Sequence, residues 1–480
     1  MAVSVSSLQS DPVRPIAPRR IALVLAVCVS DLLLTGLVFG WAPLLLLLEE
    51  EDQYAELCPV ASETMCSAQE NRLNLMFAVA SIAMNAGALP VGLVLDRVGP
   101  CVSTAVAAFV EVSGLSFLAL SDSKTFDMFV PAYALVAFGG CITMMASFPA
   151  SFLIMRHQTA ILAAISCLFD GSSAIFLVLY AAHEQYGWSR KTLFLAFAVL
   201  AAVIYLGLII LWRLNANSLP PRRGRRIDAN EENVSTTSPH EQQQLLLASG
   251  TVGTDSYDSV EAERSGIPAA TTTRGNCDDA VFSLVDTALT EQLQSVEFAF
   301  IVAFAALQVL RATIYIGTTN KLLENLGDRA HGYVYTKVFS FVLPMGFVFV
   351  PSIDYVVESR GLPQALLLTN LLGVLYNVLE LVPSLLMQCL TFVVFTAFRA
   401  FLYATISAFT AKTFGRTTMG SLMGIIFSIG SIVSLAEYPA VYVSTSMFHG
   451  DLTALTALSL VLCVLLTLWT MYLHKYQLSR

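Results

Sequence analysis

Long apolar runs alternate with short polar connections along most of the chain. A helix needs about twenty apolar residues to cross a bilayer. Runs of that kind are read at 21–48, 73–95, 101–121, 128–155, 158–182, 192–213, 296–317, 333–357, 362–382, 383–408, 418–443 and 452–473. They predict an all-α membrane protein with twelve transmembrane helices in two six-helix bundles. The first run continues through Trp41 into a series of leucines and lacks a small-residue cleavage site, so it is read as a span and not as a signal peptide.

A stretch of another kind separates the two sets. It opens on Pro220, Pro221, Arg222, Arg223, Arg225 and Arg226 and continues rich in Glu, Gln, Ser, Thr and Asn. Such a composition buries too little apolar surface to offset the entropy of ordering, so most of it is expected to be disordered. Its end differs. Asp279 is placed to cap a helix carrying Phe282, Val285, Leu289 and Leu293 at helical spacing, with Val281 beside them, and this helix is expected to lie on the membrane surface. The organisation is therefore a segment at 1–20, a bundle at 21–213, a loop ending in an amphipathic helix at 214–295, a second bundle at 296–473 and a tail at 474–480.

Composition agrees with a lipid-facing surface. The 480 residues are 56% hydrophobic and 13% charged, against about 25% charged for a soluble domain. The mean hydropathy is +0.69. A net charge of −9 argues against nucleic acid as a partner, because a phosphate backbone attracts concentrated Lys and Arg. The nine cysteines show no zinc spacing, and most sit in apolar runs as small core residues. No metal or cofactor is expected.

Basic residues set the expected orientation. With the N-terminus in the cytoplasm, Arg14, Arg19, Arg20, Arg97, Arg156, Arg213, the four arginines at 222–226, Arg360, Lys412, Arg416, Lys475 and Arg480 face inward. Arg72, Lys124, Arg190, Lys191, Lys321, Arg329 and Lys337 face outward, a ratio of roughly two to one. Both termini and the central loop are then cytoplasmic. The first outer loop is acidic, with Glu49, Glu50, Glu51, Asp52 and Glu56. Cys58 and Cys66 share that loop in an oxidising compartment, where a disulfide and two free thiols are the alternatives.

Six spans, a long cytoplasmic loop and six more spans form the layout of a two-halved transporter whose bundles rock about a midplane site. Gly36 and Gly40 in the first span, and Gly420 and Gly424 with Gly430 in the eleventh, give close or sliding helix contacts. Enzyme readings are weaker. There is no His-x-x-x-His pair, Cys-x-x-Cys set or Gly-x-Ser-x-Gly elbow, and the six histidines fall outside the runs. A receptor or scaffold is the other class, with the central loop as its platform. Glu241, Leu245 and Leu246 in that loop match an acidic dileucine signal that a sorting adaptor would bind. Asn233 is a sequon in the same loop, and a glycan there would reverse the topology.

Ionisable side chains at bilayer depth are costly and are site candidates by default. Here they are Asp31, Glu111, Asp170, Glu297, Arg311, Glu380, Arg399 and Glu437, of which Glu297 and Glu380 lie near helix ends and reach water. Any of Asp31, Glu111 or Asp170 could titrate if desolvated, which keeps proton coupling open.

After the second span the chain reads Gly92-Leu-Val-Leu-Asp96-Arg97-Val-Gly99-Pro100. This resembles the loop signature of the major facilitator superfamily, at the position where that family carries it. Gly92 permits a neighbouring helix to approach, Asp96 can pair with Arg97 or with a basic group near a helix end, and Gly99 permits a sharp turn. The usual basic ending is replaced by Pro100 and Cys101, and the equivalent loop after the eighth span, Pro351-Ser-Ile-Asp354, is degenerate.

Further segments resemble solute carrier family forty-three and its fungal and protist relatives. They are Phe39-Gly40-Trp41 with an acidic loop ending at Cys58, Phe169-Asp170-Gly171-Ser172-Ser173-Ala174-Ile175-Phe176, Tyr315-Ile316-Gly317-Thr318-Thr319-Asn320, Arg399-Ala400-Phe401-Leu402-Tyr403, Gly424 and Ser434-Leu435-Ala436-Glu437-Tyr438-Pro439. Asp31 and Glu437 depart from the family's pattern. The resemblance implies sodium-independent, uncoupled facilitated transport of large neutral amino acids, with purine nucleobases second, and the departure at Asp31 keeps a proton-coupled carrier as an alternative. It also implies that spans one, four, seven and ten line the cavity, bringing Asp31, Arg311 and Arg399 to the solute. An α-amino acid requires a cation for its carboxylate, from Arg311 or Arg399, and an acceptor for its ammonium, from Asp31. Phe169, Tyr315 and Tyr403 would stack on the solute. Asp170, Glu111 and Glu437 are read as structural or coupling charges, Asp170 by pairing with an arginine between bundles. The plasma membrane and the vacuolar or endolysosomal membrane are the expected locations.

Overall fold

The computed structural model describes residues 17–58, 66–218, 284–437, 439–440 and 456–467. Among the described residues, ten helices are long and apolar enough to cross a membrane. They are α1 (Pro18–Phe39), α2 (Ala68–Val98), α3 (Pro100–Leu120), α4 (Phe129–Leu153), α5 (Met155–Tyr186), α6 (Arg190–Leu214), α7 (Val296–Asn325), α8 (Val334–Arg360), α9 (Leu362–Glu380) and α10 (Leu385–Phe414). Two shorter apolar helices follow, α11 (Met419–Ser434) and α12 (Thr456–Thr467), inside the eleventh and twelfth apolar runs. Asn233, Glu241, Leu245 and Leu246, the start of the expected amphipathic helix at Asp279 and Phe282, and both chain ends lie outside the described residues.

Several spans are broken where the sequence suggests it only faintly. α1 passes through a π-helical turn at Asp31–Thr35 and a 3-10 turn at Leu37–Phe39, and a separate helix, Trp41–Glu50, then starts beyond Gly40. α5 tightens at Ser172–Ala174. α8 tightens over Leu343–Phe349, where Pro344 withdraws a backbone donor. Such mid-helix departures often mark hinges or functional sites.

α1 to α6 pack on one another, as do α7 to α11. The two bundles meet where α2 packs on α11 and where the first half of α5 (Gln158–Gly171) packs on α10 and on the Leu343–Arg360 part of α8. The later half of α5, Ile175–Tyr186, and the first half of α8, Val334–Val342, have no comparable partner across the bundles among the described residues. Among the described residues, the contacts between the bundles thus gather towards the end bearing the α2–α3 turn.

Small residues make the α2–α11 contact possible. A Cβ on Gly424 would sit 2.6 Å from Ala88 O, and one on Gly420 would sit 2.7 Å from Gly92 O. Gly36 fills another role than a bundle-to-bundle contact: it packs inside the first bundle, where its amide donates to Ser172 Oγ at 2.5 Å. In the first loop, Cys58 and Cys66 are joined as a disulfide. Arg190 ties the same end together, donating to Glu51 at 2.5 Å, to Ser121 O at 2.7 Å and to Leu118 O.

Among the described residues, the segment just before α7 is helical only at Leu289–Leu293, so Val285 falls in a turn and not in the expected amphipathic helix, and the segment packs on the second bundle. Asp286 accepts hydrogen bonds from the Arg416 and Thr417 amides at 3.1 and 3.2 Å and from Thr417 Oγ1 at 3.0 Å. Gln292 donates to Phe414 O at 3.0 Å and accepts from Thr418 Oγ1 at 2.5 Å. The end of the long loop is therefore fastened to the α10–α11 turn.

Candidate functional site

An ion pair lies where the bundles meet. Arg399 of α10 donates through Nη2 to Asp170 Oδ1 of α5 at 2.7 Å, and the two side chains are 12% and 10% exposed. The guanidinium carbon also lies 5.7 Å from the centre of the Tyr403 ring, one turn along α10. Phe169 precedes Asp170 and meets Phe39 edge-on at 5.7 Å, and Tyr403 meets Phe427 at 6.4 Å. One cation, one anion and aromatic faces thus gather between the bundles. A buried pair of this kind is held by mutual attraction in a poorly screened setting, so another charged group can enter only by replacing one partner.

The other charges expected at the solute sit elsewhere. Arg311 is 1% exposed and satisfied inside the second bundle. It donates to Ser459 Oγ at 3.0 Å, to Gly373 O at 2.8 Å, and to Gln308 and Asn377. Asn377 passes the interaction on to Glu380 at 3.2 Å, so the cation and Glu380 are linked through an amide. Glu380 is correspondingly buried, not at water as its place near a helix end suggested. Tyr315 lies in an aromatic core with Phe339, Tyr376 and Phe395, which removes it from a stacking role in this state. Asp31 is fully buried, with Ser147 Oγ donating to it at 2.8 Å. Glu111 is fully buried against Tyr205. Glu437 lies against Gly317 of α7, whose missing side chain leaves the space for its carboxylate.

The closed end is built from a repeated device. Asp96 accepts from the amides of Gly420 and Ser421 at 3.0 and 2.6 Å and from Ser421 Oγ at 2.5 Å. Among its partners is thus the first turn of α11, where unpaired amides and the helix dipole favour an anion. Gly92 faces Gly420, and Gly99 turns the chain at φ 87°, ψ 169°. The second bundle repeats the turn at Gly361, φ 88°, ψ 166°. Its acid is Glu358, three residues before the glycine as Asp96 is before Gly99, and not Asp354. Glu358 accepts from Thr159 at the start of α5 and from Lys412 of α10 at 2.6 Å. Sequence reading missed Glu358, although Asp96-x-x-Gly99-Pro100 and Glu358-x-x-Gly361-Leu362-Pro363 share a visible frame. Ser166 and Ser407, 3.4 Å apart, and Asn85 and Ser431, 2.8 Å apart, join the bundles between this end and the central pair.

Comparisons with known proteins agree with this architecture. The family model of the Major Facilitator Superfamily matches residues 23–436. Equilibrative nucleobase transporter 1 of Bos taurus is 24% identical, with 96% of each chain covered. Large neutral amino acids transporter small subunit 3 of Homo sapiens is 22% identical over 90% of this chain and 89% of the relative. Amino acid transporter 6-1 of Toxoplasma gondii is 23% identical over 90% of this chain and 75% of the relative. Among solved structures, the transporter FucP in an outward conformation superposes with a TM-score of 0.56 at 12% identity, covering 94% of this chain and 99% of that one.

Proposed function

Because the chain belongs to the Major Facilitator Superfamily and is a membrane transporter of small organic solutes, we propose that its solutes are large neutral amino acids, taken up at the Asp170–Arg399 pair. The observation behind this reading is the pair itself, a largely buried cation and anion between the bundles. A zwitterion brings a carboxylate for Arg399 and an ammonium for Asp170, so both charges keep a partner when the solute separates them. Phe169 and Tyr403 would receive an apolar side chain. With the solute between the bundles, the Asp96 and Glu358 contacts release and the opposite end closes.

A second reading, purine nucleobases, is favoured by the similarity along 96% of the bovine nucleobase transporter. A planar base would stack on Tyr403 and hydrogen-bond to the same two charges.

Uptake of labelled leucine, phenylalanine and adenine into proteoliposomes separates the two. Saturable leucine uptake is expected. Arg399→Gln should lower its kcat/KM by at least about tenfold, as when a buried charge pair loses a partner. Uptake untouched by Arg399→Gln would overturn the assignment of the pair, and adenine uptake without leucine uptake would select the second reading. For the membrane setting, we place both termini and the central loop in the cytoplasm from the charge distribution. The protein then resides in the plasma or endolysosomal membrane, with Glu241, Leu245 and Leu246 offered to a sorting adaptor.

A further inference from the structure

The amides that hold Asp96 begin α11, and the segment ahead of α7 is built onto the turn that leads into them. Asp286 N donates to Phe414 O at 2.9 Å, and Asp286 Oδ1 accepts from the Arg416 and Thr417 amides and from Thr417 Oγ1. Two backbone features fit this contact. Asp286 has φ 57°, a left-handed conformation uncommon outside glycine. Gly415 opposite has φ 84°, and a Cβ there would sit 2.6 Å from Asp286 Oδ1.

Gln292 makes the second contact, and it acts on a helix cap. Thr418 is the N-cap residue of α11. An N-cap hydroxyl ordinarily accepts from the amide of the second or third helical residue, here Gly420 and Ser421. Thr418 makes no such bond. Its hydroxyl donates instead to Gln292 Oε1 at 2.5 Å, while Gln292 Nε2 donates to Phe414 O at 3.0 Å. Gln292 is fully buried. The two amides are thereby left for Asp96, which takes them at 3.0 and 2.6 Å. The first bundle shows the contrast. Its matching turn, between α4 and α5, meets the start of α1 through Arg20, 3.4 Å from Leu153 O, and Glu358 there takes the Thr159 hydroxyl and the Lys412 ammonium.

The first amides of a helix need an acceptor, and two compete for this pair. A carboxylate is the stronger acceptor, but Asp96 is at hand only while the bundles meet, whereas Thr418 belongs to the helix itself. Were the Thr418 hydroxyl to turn onto the amides, closing the α2–α11 seam would first have to break a cap.

We propose that Asp286 and Gln292 are positioning residues of this seam: they clasp the α10–α11 turn so that Thr418 leaves α11 uncapped and its first amides are kept for Asp96. Without the clasp, Thr418 caps its own helix and the carrier shifts towards the state open at the Asp96 end. The inference rests on the reading that the Asp96 contact releases during transport.

The test is made on purified protein without solute. A cysteine at Asn85, with the other unpaired cysteines replaced, reports the open state by its rate of reaction with a charged thiol reagent. Asp96→Ala should raise that rate about fivefold or more, the lower range of coupling between two sites. Gln292→Leu should raise it too, by a smaller factor. Adding Thr418→Val to Gln292→Leu removes the competing hydroxyl and should return the rate towards wild type, although it deletes a further polar group. Thr418→Val alone, the mildest of these changes, should leave the rate no higher than wild type. Asp286→Ala should speed the reaction, and Asp286→Asn, which keeps the acceptor oxygen, should not. In the Asp96→Ala background Gln292→Leu should add nothing. A wild-type rate in both Gln292→Leu and Asp286→Ala would overturn the clasp. So would a faster reaction in Thr418→Val, or factors that multiply in the Asp96→Ala background. A rate unmoved by Asp96→Ala would instead overturn the reading of the seam on which the clasp rests.

Discussion

At the scale of single residues, the informative charges are those whose surroundings can be counted atom by atom. Asp328, in the turn between α7 and α8, shows the sign of one such case. Burial pushes its carboxyl up, but hydrogen bonds from Thr336 Oγ1 and from the Tyr335 and Thr336 amides outweigh that and hold it below the ordinary value. A carboxyl depressed in the folded state stabilises above its unfolded value, about 3.9, and that contribution is lost as pH falls through the lower folded value. Asp328→Asn should therefore reduce Tm at neutral pH by an amount reflecting about 1 kcal/mol, and the gap to wild type should close in acid below about pH 4. A gap constant over that range would mean that the carboxylate's charge is not what anchors the turn. The same counting explains which charges were legible in the sequence. Depth in an apolar run marked Asp170 and Arg399, and their chemistry suggested an inter-bundle pair. Arg311 looked equally available, because the groups that occupy it, Gln308, Gly373, Asn377 and Ser459, come from three helices whose mutual rotation no spacing reveals.

At the scale of elements, apolar length located the spans well, because bilayer thickness imposes it. Interruptions were less visible. The π-helical turn at Asp31 has no composition of its own, and Glu358 stands outside the Pro351–Asp354 stretch read as the equivalent loop. Contacts between elements follow from small residues, and these can be tested. Gly424 admits α2 so closely that any side chain must push the helices apart, since a Cβ there lies 3.0 Å from Leu89 Cα as well as 2.6 Å from Ala88 O. Gly424→Val should then favour the state open at the Asp96 end. A cysteine placed at Asn85, which now touches Ser431 and Ser428, should react with a polar thiol reagent severalfold faster in that background. Equal rates would identify the α2–α11 seam as static packing.

At the scale of the whole molecule, the question is whether the bundles must separate at the closed end for solute to cross. Ser166 of α5 and Ser407 of α10 bring their hydroxyls to 3.4 Å across the seam, between the central pair and the Glu358 contact. A disulfide sets its Cβ atoms about 3.5–4.5 Å apart, and hydroxyls 3.4 Å apart single out this pair for a cross-link. The variant Ser166→Cys with Ser407→Cys would be made with Cys28, Cys101, Cys141, Cys167, Cys277, Cys389 and Cys463 replaced, and with the Cys58–Cys66 bridge kept. Oxidation should fix the present state and abolish both net uptake and exchange, and reduction should restore them. Solute binding from the end bearing the first loop should survive oxidation, because the link lies on the other side of Arg399 and Asp170. Flux that continued in the oxidised protein would show that solute crosses without rocking of the bundles, as through a channel. Loss of binding together with flux would instead place the solute on the closed side of the seam. A carrier working by alternating access gives the one combination of retained binding, lost flux and recovery on reduction, since the covalent link removes only the motion.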